Sequence, residues 1–193
     1  MSLRLITAPT DYPVTLDEAK AQTRVDGTAD DAALNLYIAA ATDYVEQYTG
    51  RAIMPQTWEL VLDTFSDAIQ LSKGPVTVIS SVSYYDTDGV IQTVSSSNYA
   101  ADLASDPQWL VRASDYTWPT VAYGINNVII RFVAGYATVP PSIKHAILLL
   151  ISQWFDERSS LSAMARPAAA GGDIPELPHA VSALLTNYRS FAF

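Results

Sequence analysis

Thr28–Gly50, TADDAALNLYIAAATDYVEQYTG, is the stretch whose reading decides the rest of the chain. It reads as one amphipathic helix with both ends marked. Thr28, followed three residues later by Asp31, is an acidic variant of the capping box. Asp30 and Asp31 also place negative charge at the positive end of the helix dipole. Leu34, Ile38, Ala41, Val45 and Tyr48 recur at spacings of four and three, so they share one face. Gly50 follows the last periodic residue, where a left-handed cap needs no Cβ.

Upstream, Pro9 and Pro13 make residues 1–14 an extended lead-in. Thr15 opens a second capping box with Glu18, and a short helix runs from Leu16 to about Arg24. Asp26-Gly27 is a turn signal, so residues 15–50 read as a helical hairpin. Downstream of Gly50 the period changes from 3.6 to 2. Trp58, Leu60 and Leu62 alternate with Thr57, Glu59 and Asp63, the pattern of a half-buried strand. Ile69 and Leu71 mark a short strand, and Val76, Val78, Val82 and Tyr84 lie on one face of another. Asp88-Gly89 turns the chain into Val90–Val94 as a hairpin. Ser95-Ser96-Ser97-Asn98 is a loop, Trp109–Arg112 is a candidate strand, and Asn127–Ala134 (NVIIRFVA), closed by Gly135, is the last strong one. Residues 56–134 are thus a mostly antiparallel sheet of about five or six strands, inserted between helical parts.

Pro140-Pro141 ends the sheet, and a helix follows from Ile143 to about Arg158. Ile143, Ile147, Leu150, Ile151 and Trp154 form one face, while Leu148, Leu149 and Phe155 carry the apolar surface well round the cylinder. Such a helix needs burial on more than one side, inside the fold or against a neighbouring subunit. Residues 159–177 are a Ser/Ala/Gly/Pro segment that reads as a flexible linker. Pro178 to about Arg189 is a short final helix with Val181, Leu184, Leu185 and Tyr188 on one side, ahead of the aromatic end Phe191-Ala192-Phe193. The fold class is α+β: a helical bundle with an inserted, mostly antiparallel sheet, in one domain of 193 residues.

Composition narrows the function. The chain is 49% hydrophobic, enough for a core, and has no cysteine, so disulfides, thiolate nucleophiles and cysteine-ligated metals are ruled out. The N-terminus lacks the long apolar run of a signal peptide, and Ala146–Ile151 is too short to span a bilayer, so the chain reads as soluble and cytoplasmic. The net charge is −9, and the eleven Lys and Arg are scattered with no basic stripe. Proteins that grip nucleic acid cluster such cations against phosphates; this one tends to repel DNA.

No residue pattern carries catalysis. His145 and His179 have no metal-ligand spacing and read as structural or surface histidines. Asp86-x-Asp88-Gly89 resembles a fragment of a calcium loop but lacks its later ligands, and a hairpin turn explains it. There is no G-x-S-x-G elbow, phosphate loop or G-x-G-x-x-G. Asp156, Glu157 and Arg158 read as a solvated charge cluster at a helix end. The aromatics Tyr84, Tyr85, Tyr99, Trp109, Tyr116, Trp118 and Tyr123 read as sheet core and interface packing, with a ligand platform as the alternative. No catalytic residue, cofactor or metal site is expected.

Several segments together resemble the tailed-phage head–tail connector family, the head-completion or adaptor proteins of phages, prophages and gene transfer agents. They are VTLDEAK (Val14–Lys20), Arg24-Val25-Asp26-Gly27, IAAATDYVEQYTGR (Ile38–Arg51) and QTWEL (Gln56–Leu60). RFVAGY (Arg131–Tyr136), VPPSIKHAILLL (Val139–Leu150) and L-P-x-x-V-x-x-L-L-x-x-Y-R (Leu177–Arg189) follow in the expected order. The resemblance implies a homo-oligomeric ring of about a dozen subunits in the virion neck, assembled in the host cytoplasm. It also implies a portal protein on one side, a neck or tail protein on the other, and DNA passing through the hole without being specifically bound. The β segment 56–134 departs from the family's small helical core. Leu148, Trp154, Phe155, Arg158, Tyr188, Phe191 and Phe193 are the residues expected at interfaces. Two other readings compete: a β domain binding a glycan or peptide through residues 84–123, and an enzyme using Asp156 or Glu157.

Overall fold

The computed structural model describes residues 1–163 and 179–190. The chain forms two compact units, one built mainly from Met1–Thr10 and Gly50–Ala137, the other from Asp11–Thr49 and Thr138–Arg189. The overall class is the expected α+β, with helices in one unit and two antiparallel sheets in the other.

Among the described residues the sheet unit contains eight strands: β1 (Ser2–Thr7), β2 (Gln56–Leu62), β3 (Ala68–Leu71), β4 (Val76–Tyr85), β5 (Ile91–Thr93), β6 (Tyr99–Asp102), β7 (Gln108–Arg112) and β8 (Val128–Ala134). They form a five-stranded sheet in the order β1-β2-β8-β4-β5 and a three-stranded sheet in the order β3-β7-β6. The order is not a plain meander, because β8 inserts between β2 and β4. Its alternation explains the position. Val128, Ile130, Phe132 and Ala134 are all fully buried, and Ile129, Arg131 and Val133 point the other way. The buried set joins Leu60, Val76 and Val82 of the large sheet to Ile69, Leu71 and Leu110 of the small one in a single core.

Gln108 sews the two sheets together. Buried at the start of β7, it donates from Nε2 to the carbonyls of Val76 and Leu103 at 3.0 and 2.7 Å. Its Oε1 accepts from the Val76 amide. Gly135 ends β8 at φ 130°, where an added Cβ would fall 2.3 Å from the Met54 carbonyl oxygen. Only glycine fits there.

Two strands depart from expectation. Residues 2–7, read as a lead-in, pair with β2 as the edge strand β1. In β4 the register shifts between Val76 and Val78 and again between Ile79 and Ser81. These bulges separate Val78, which is exposed, from the buried face that Val76 and Val82 share. The Asp86–Gly89 turn forms as expected, with Gly89 at φ 76° and β5 returning along β4.

In the helical unit, α1 (Leu16–Thr23) carries the Thr15–Glu18 capping box in full. Glu18 also reaches Lys144 Nζ at 2.5 Å. The Lys144 ammonium first, and the Thr15 amide next, hold its carboxyl below the usual glutamate range. The long helix α2 (Asp31–Thr49) begins two residues later than the Thr28 cap implies. The Asp31 amide donates to the Thr28 carbonyl, and Leu34 is the first residue to bond back, to Asp30. Asp30 and Asp31 serve in ion pairs with Arg158 and Lys20. Leu34, Ile38, Ala41 and Val45 are buried as the periodicity requires, and Gly50 takes φ 71° past the helix end.

Helix α3 (Pro141–Ala163) packs against α1, α2 and α4 (His179–Leu185). Ile143, Ala146, Ile147, Leu150 and Ile151 are buried. The helix outruns Arg158, so the first five residues of the expected 159–177 linker are helical; residues 164–177 of that linker lie outside the described residues. After α4 the chain tightens into a 3-10 turn at Thr186–Tyr188.

Gln108→Leu keeps the volume but strips the partners from three backbone groups. The expected cost is about 3 kcal/mol, read as a lower urea midpoint with an unchanged slope; a cost under about 0.5 kcal/mol would show that Gln108 does not join the sheets.

Candidate functional site

On the helical unit, Trp154 sits edge-on to two α2 tyrosines, with ring centroids 6.4 Å from Tyr37 and 6.2 Å from Tyr44. The next residue, Phe155, lies under the Arg158 guanidinium at 4.6 Å, and Arg158 Nη2 donates to Asp30 Oδ1 at 2.9 Å. Leu148, Trp154, Phe155 and Tyr188 are all half-buried. The sequence-selected residues on α3 therefore pack in part against their own unit and keep one side open. Leu36 and Tyr44 are the widely exposed apolar side chains of α2. Arg189 stacks over Tyr48 at 5.1 Å beside Tyr188. Phe191 and Phe193 lie outside the described residues.

Sequence reading missed the edge strand β1 and the ion-pair row it completes. Arg4, Glu59 and Arg131 stand side by side on β1, β2 and β8, on the face away from the core. Glu59 Oε2 accepts from Arg4 Nη2 at 2.6 Å, and Oε1 accepts from Arg131 Nε at 3.0 Å. Burial pushes the Glu59 carboxyl up, but the hydrogen bonds from Arg131 and Arg4 outweigh it and hold the group below the usual glutamate range. Glu59 reads as an outward position of a half-buried strand until β1 is recognised; the alternation of Leu3 and Leu5 around Arg4 was the available signal.

Most large exposed apolar side chains of this unit crowd one end of the five-stranded sheet. Met1, Tyr85, Val90, Ile91, Tyr123 and Ile125 stand there. The loop carrying Tyr123 and Ile125 is built, with the Ala122 amide on the Tyr85 carbonyl, Asn127 Nδ2 on the Ala122 carbonyl, and the Asn126 amide on Asp63 Oδ1.

The other candidates resolve into structure. Asp86 Oδ1 accepts from the Asp88 and Val90 amides and Oδ2 from Gln92 Nε2, which makes the calcium-like fragment a turn. Those bonds, Gln92 first and the Val90 amide next, hold Asp86 below the ordinary aspartate range. His145, His179, Asp156 and Glu157 are exposed, and Gln153 donates to Glu157 at 2.9 Å. Among the described residues no group of three His, Cys, Asp or Glu is placed to hold a metal ion. No helix among them is long and apolar enough to cross a membrane. Phe65 stacks on Trp118 at 4.4 Å, with Tyr84 and Tyr116 edge-on to that pair. These aromatics pack against the sheet core and form no open platform.

A carboxylate with a depressed folded pKa stabilises above its ordinary value and loses that contribution as the pH falls through the lower folded value. Glu59→Gln is therefore expected to cost about 1–3 kcal/mol at pH 7, and the deficit should shrink as the wild type is taken below pH about 4. A deficit that stays constant from pH 7 to pH 3 in urea melts would contradict the ion-pair assignment.

Comparison with known proteins completes the picture. A search of curated proteins returns no match. Among solved structures, the whole chain aligns with 97% of a chain in the neck of an empty gene transfer agent particle computed with C6 symmetry, at a TM-score of 0.75 and 24% identity. Chains from a native gene transfer agent virion and from the neck of a native particle computed with C12 symmetry align over the same shares at TM-scores of 0.73 and 0.69, each at 24% identity. At that identity the likeness establishes a shared fold. A family model described as phage gp6-like head-tail connector protein matches residues 13–109, half of the chain, which spans α1, α2 and strands β2 to β6. The chain belongs to the phage gp6-like head-tail connector family.

Proposed function

We propose that this protein is a structural subunit of a closed homo-oligomeric ring in the virion neck. The ring sits on the portal of the capsid, presents a surface to the next neck or tail protein, and lets DNA pass through its hole. Family membership, extended by a fold likeness over the full chain to components of gene transfer agent particles, carries this reading. The C6 and C12 symmetry with which two such necks were computed fits a subunit that repeats around an axis. The number of copies proposed is about a dozen, and assembly takes place in the host cytoplasm before incorporation into the neck.

Charge supports the passage of DNA without capture. At −9, with scattered cations that largely serve internal ion pairs, the chain offers phosphates no continuous grip. The role is one of contact surfaces, with no bond made or broken. Leu148, Trp154, Phe155, Arg158 and Tyr188 are proposed to meet neighbouring subunits or the portal, together with Phe191 and Phe193.

Mass photometry of the purified protein with its portal is expected to show about a dozen copies added per portal ring. Trp154→Ala together with Phe155→Ala should lower that occupancy at least tenfold while leaving far-UV circular dichroism unchanged. A well-folded chain that never associates with itself or with a portal would refute the proposal.

A further inference from the structure

The ring reading leaves open which surfaces meet, and the sheet unit holds a matched pair. The five-stranded sheet ends in two different edges, β1 and β5. Thr93, Ser83, Ile129, Val61 and Ser2 form one continuous row of cross-strand partners from the β5 edge to the β1 edge. The β4–β5 hairpin and the start of β1 therefore lie at the same end of the sheet, at the same level, on opposite sides.

The outer face holds a hollow of about 390 Å³ that opens at the β1 edge, where Ser2 and Arg4 line it, and runs past Val61 and Ile129 to Ile125 and to Tyr85 at the end of β4. Arg4 is the charged residue of its lining, and Arg131 stands beside it two strands away. Arg4 and Arg131 share the single carboxylate Glu59, and both guanidiniums remain about half exposed. The nearby Asp63 carboxylate accepts the Asn126 amide. On the β5 side, the hairpin carries exposed Val90 and Ile91 beside the exposed carboxylate of Asp88, while both oxygens of Asp86 are taken by the turn itself.

We infer that the β4–β5 hairpin of one copy docks at the Ser2–Arg4 side of the hollow on the next copy. Val90 and Ile91 enter the hollow beside Ser2 and Ile125, and Asp88 faces Arg4. Opposite charge on opposite edges suits a second copy of this chain, because a head-to-tail contact between two different patches repeats around an axis and closes a ring. It also covers an exposed sheet edge, which folded proteins rarely leave open. This inference rests on the ring reading.

The absence of cysteine makes the contact testable without background. In one copy Ser2 and Ile91 lie at opposite edges of the sheet, four strand spacings or roughly 19 Å apart. A disulfide needs Cα atoms within about 7 Å, so Ser2→Cys combined with Ile91→Cys can bridge only between copies. Rings formed by this variant on the portal and then oxidised are expected to run as a ladder of covalent oligomers on a non-reducing gel, with each single variant giving nothing beyond a dimer. A ring of normal mass that yields no ladder overturns the hairpin contact and leaves the ring reading intact. Chains that stay monomeric beside the portal overturn both. As a second readout, Asp88→Arg should raise the half-assembly concentration at least tenfold, and adding Arg4→Glu to that chain should restore assembly; a half-assembly concentration unmoved by Asp88→Arg also overturns the inference.

Discussion

Burial of one side of β8 is the constraint on which the sheet unit depends. Val128, Ile130, Phe132 and Ala134 have no exposure, and they come from a strand that reaches its neighbours β2 and β4 across long stretches of chain. A slip of one residue would turn that apolar set outward and put Arg131 into the core. The register is therefore held firmly, and everything on the opposite face follows from it. Arg131 must point out, Glu59 must stand beside it, and Arg4 of the edge strand completes the row. The row of two guanidiniums around one carboxylate is a consequence of the core pattern on the other side of the same strands.

The helical unit obeys the other period. The buried residues of α2 and α3 recur at three and four, and both helices carry apolar residues beyond what their own unit hides. Leu36 on α2 is mostly exposed, and Trp154 and Phe155 on α3 are only half covered. Ion pairs at the margins, Glu18 with Lys144 and Asp30 with Arg158, orient the helices but contribute little each at such exposure. A fold held by its core and flanked by open apolar and charged patches suits a subunit whose work is to be contacted.

Local signals were legible and distant ones were not. Both capping residues of α1, the Gly50 and Gly89 positions, the β8 alternation and the α3 face could be read because each rests on neighbours within a few residues. The start of α2 was misplaced because Asp30 and Asp31 are drawn to Arg158 and Lys20, partners that no local window contains. The bulges in β4 broke a period that looked regular and sent Val78 outward. Strand β1 was hidden by Pro9 and Pro13 just after it and by a partner more than fifty residues away, and with it went the identity of Glu59 as a buried ion-pair centre. The aromatic residues of 84–123 were read correctly as packing for the most part, but the exposed end formed by Tyr85, Tyr123 and Ile125 depends on the order of strands, which composition cannot reveal.

The central claim is that this chain works as one of many copies around the DNA path. An electron cryo-microscopy reconstruction of the neck from intact particles tests it most directly. The expected result is a closed ring of this chain between the portal and the next neck protein, with an open axial channel that DNA occupies. Particles whose neck lacks the chain, or holds it as isolated copies away from the axis, would contradict it.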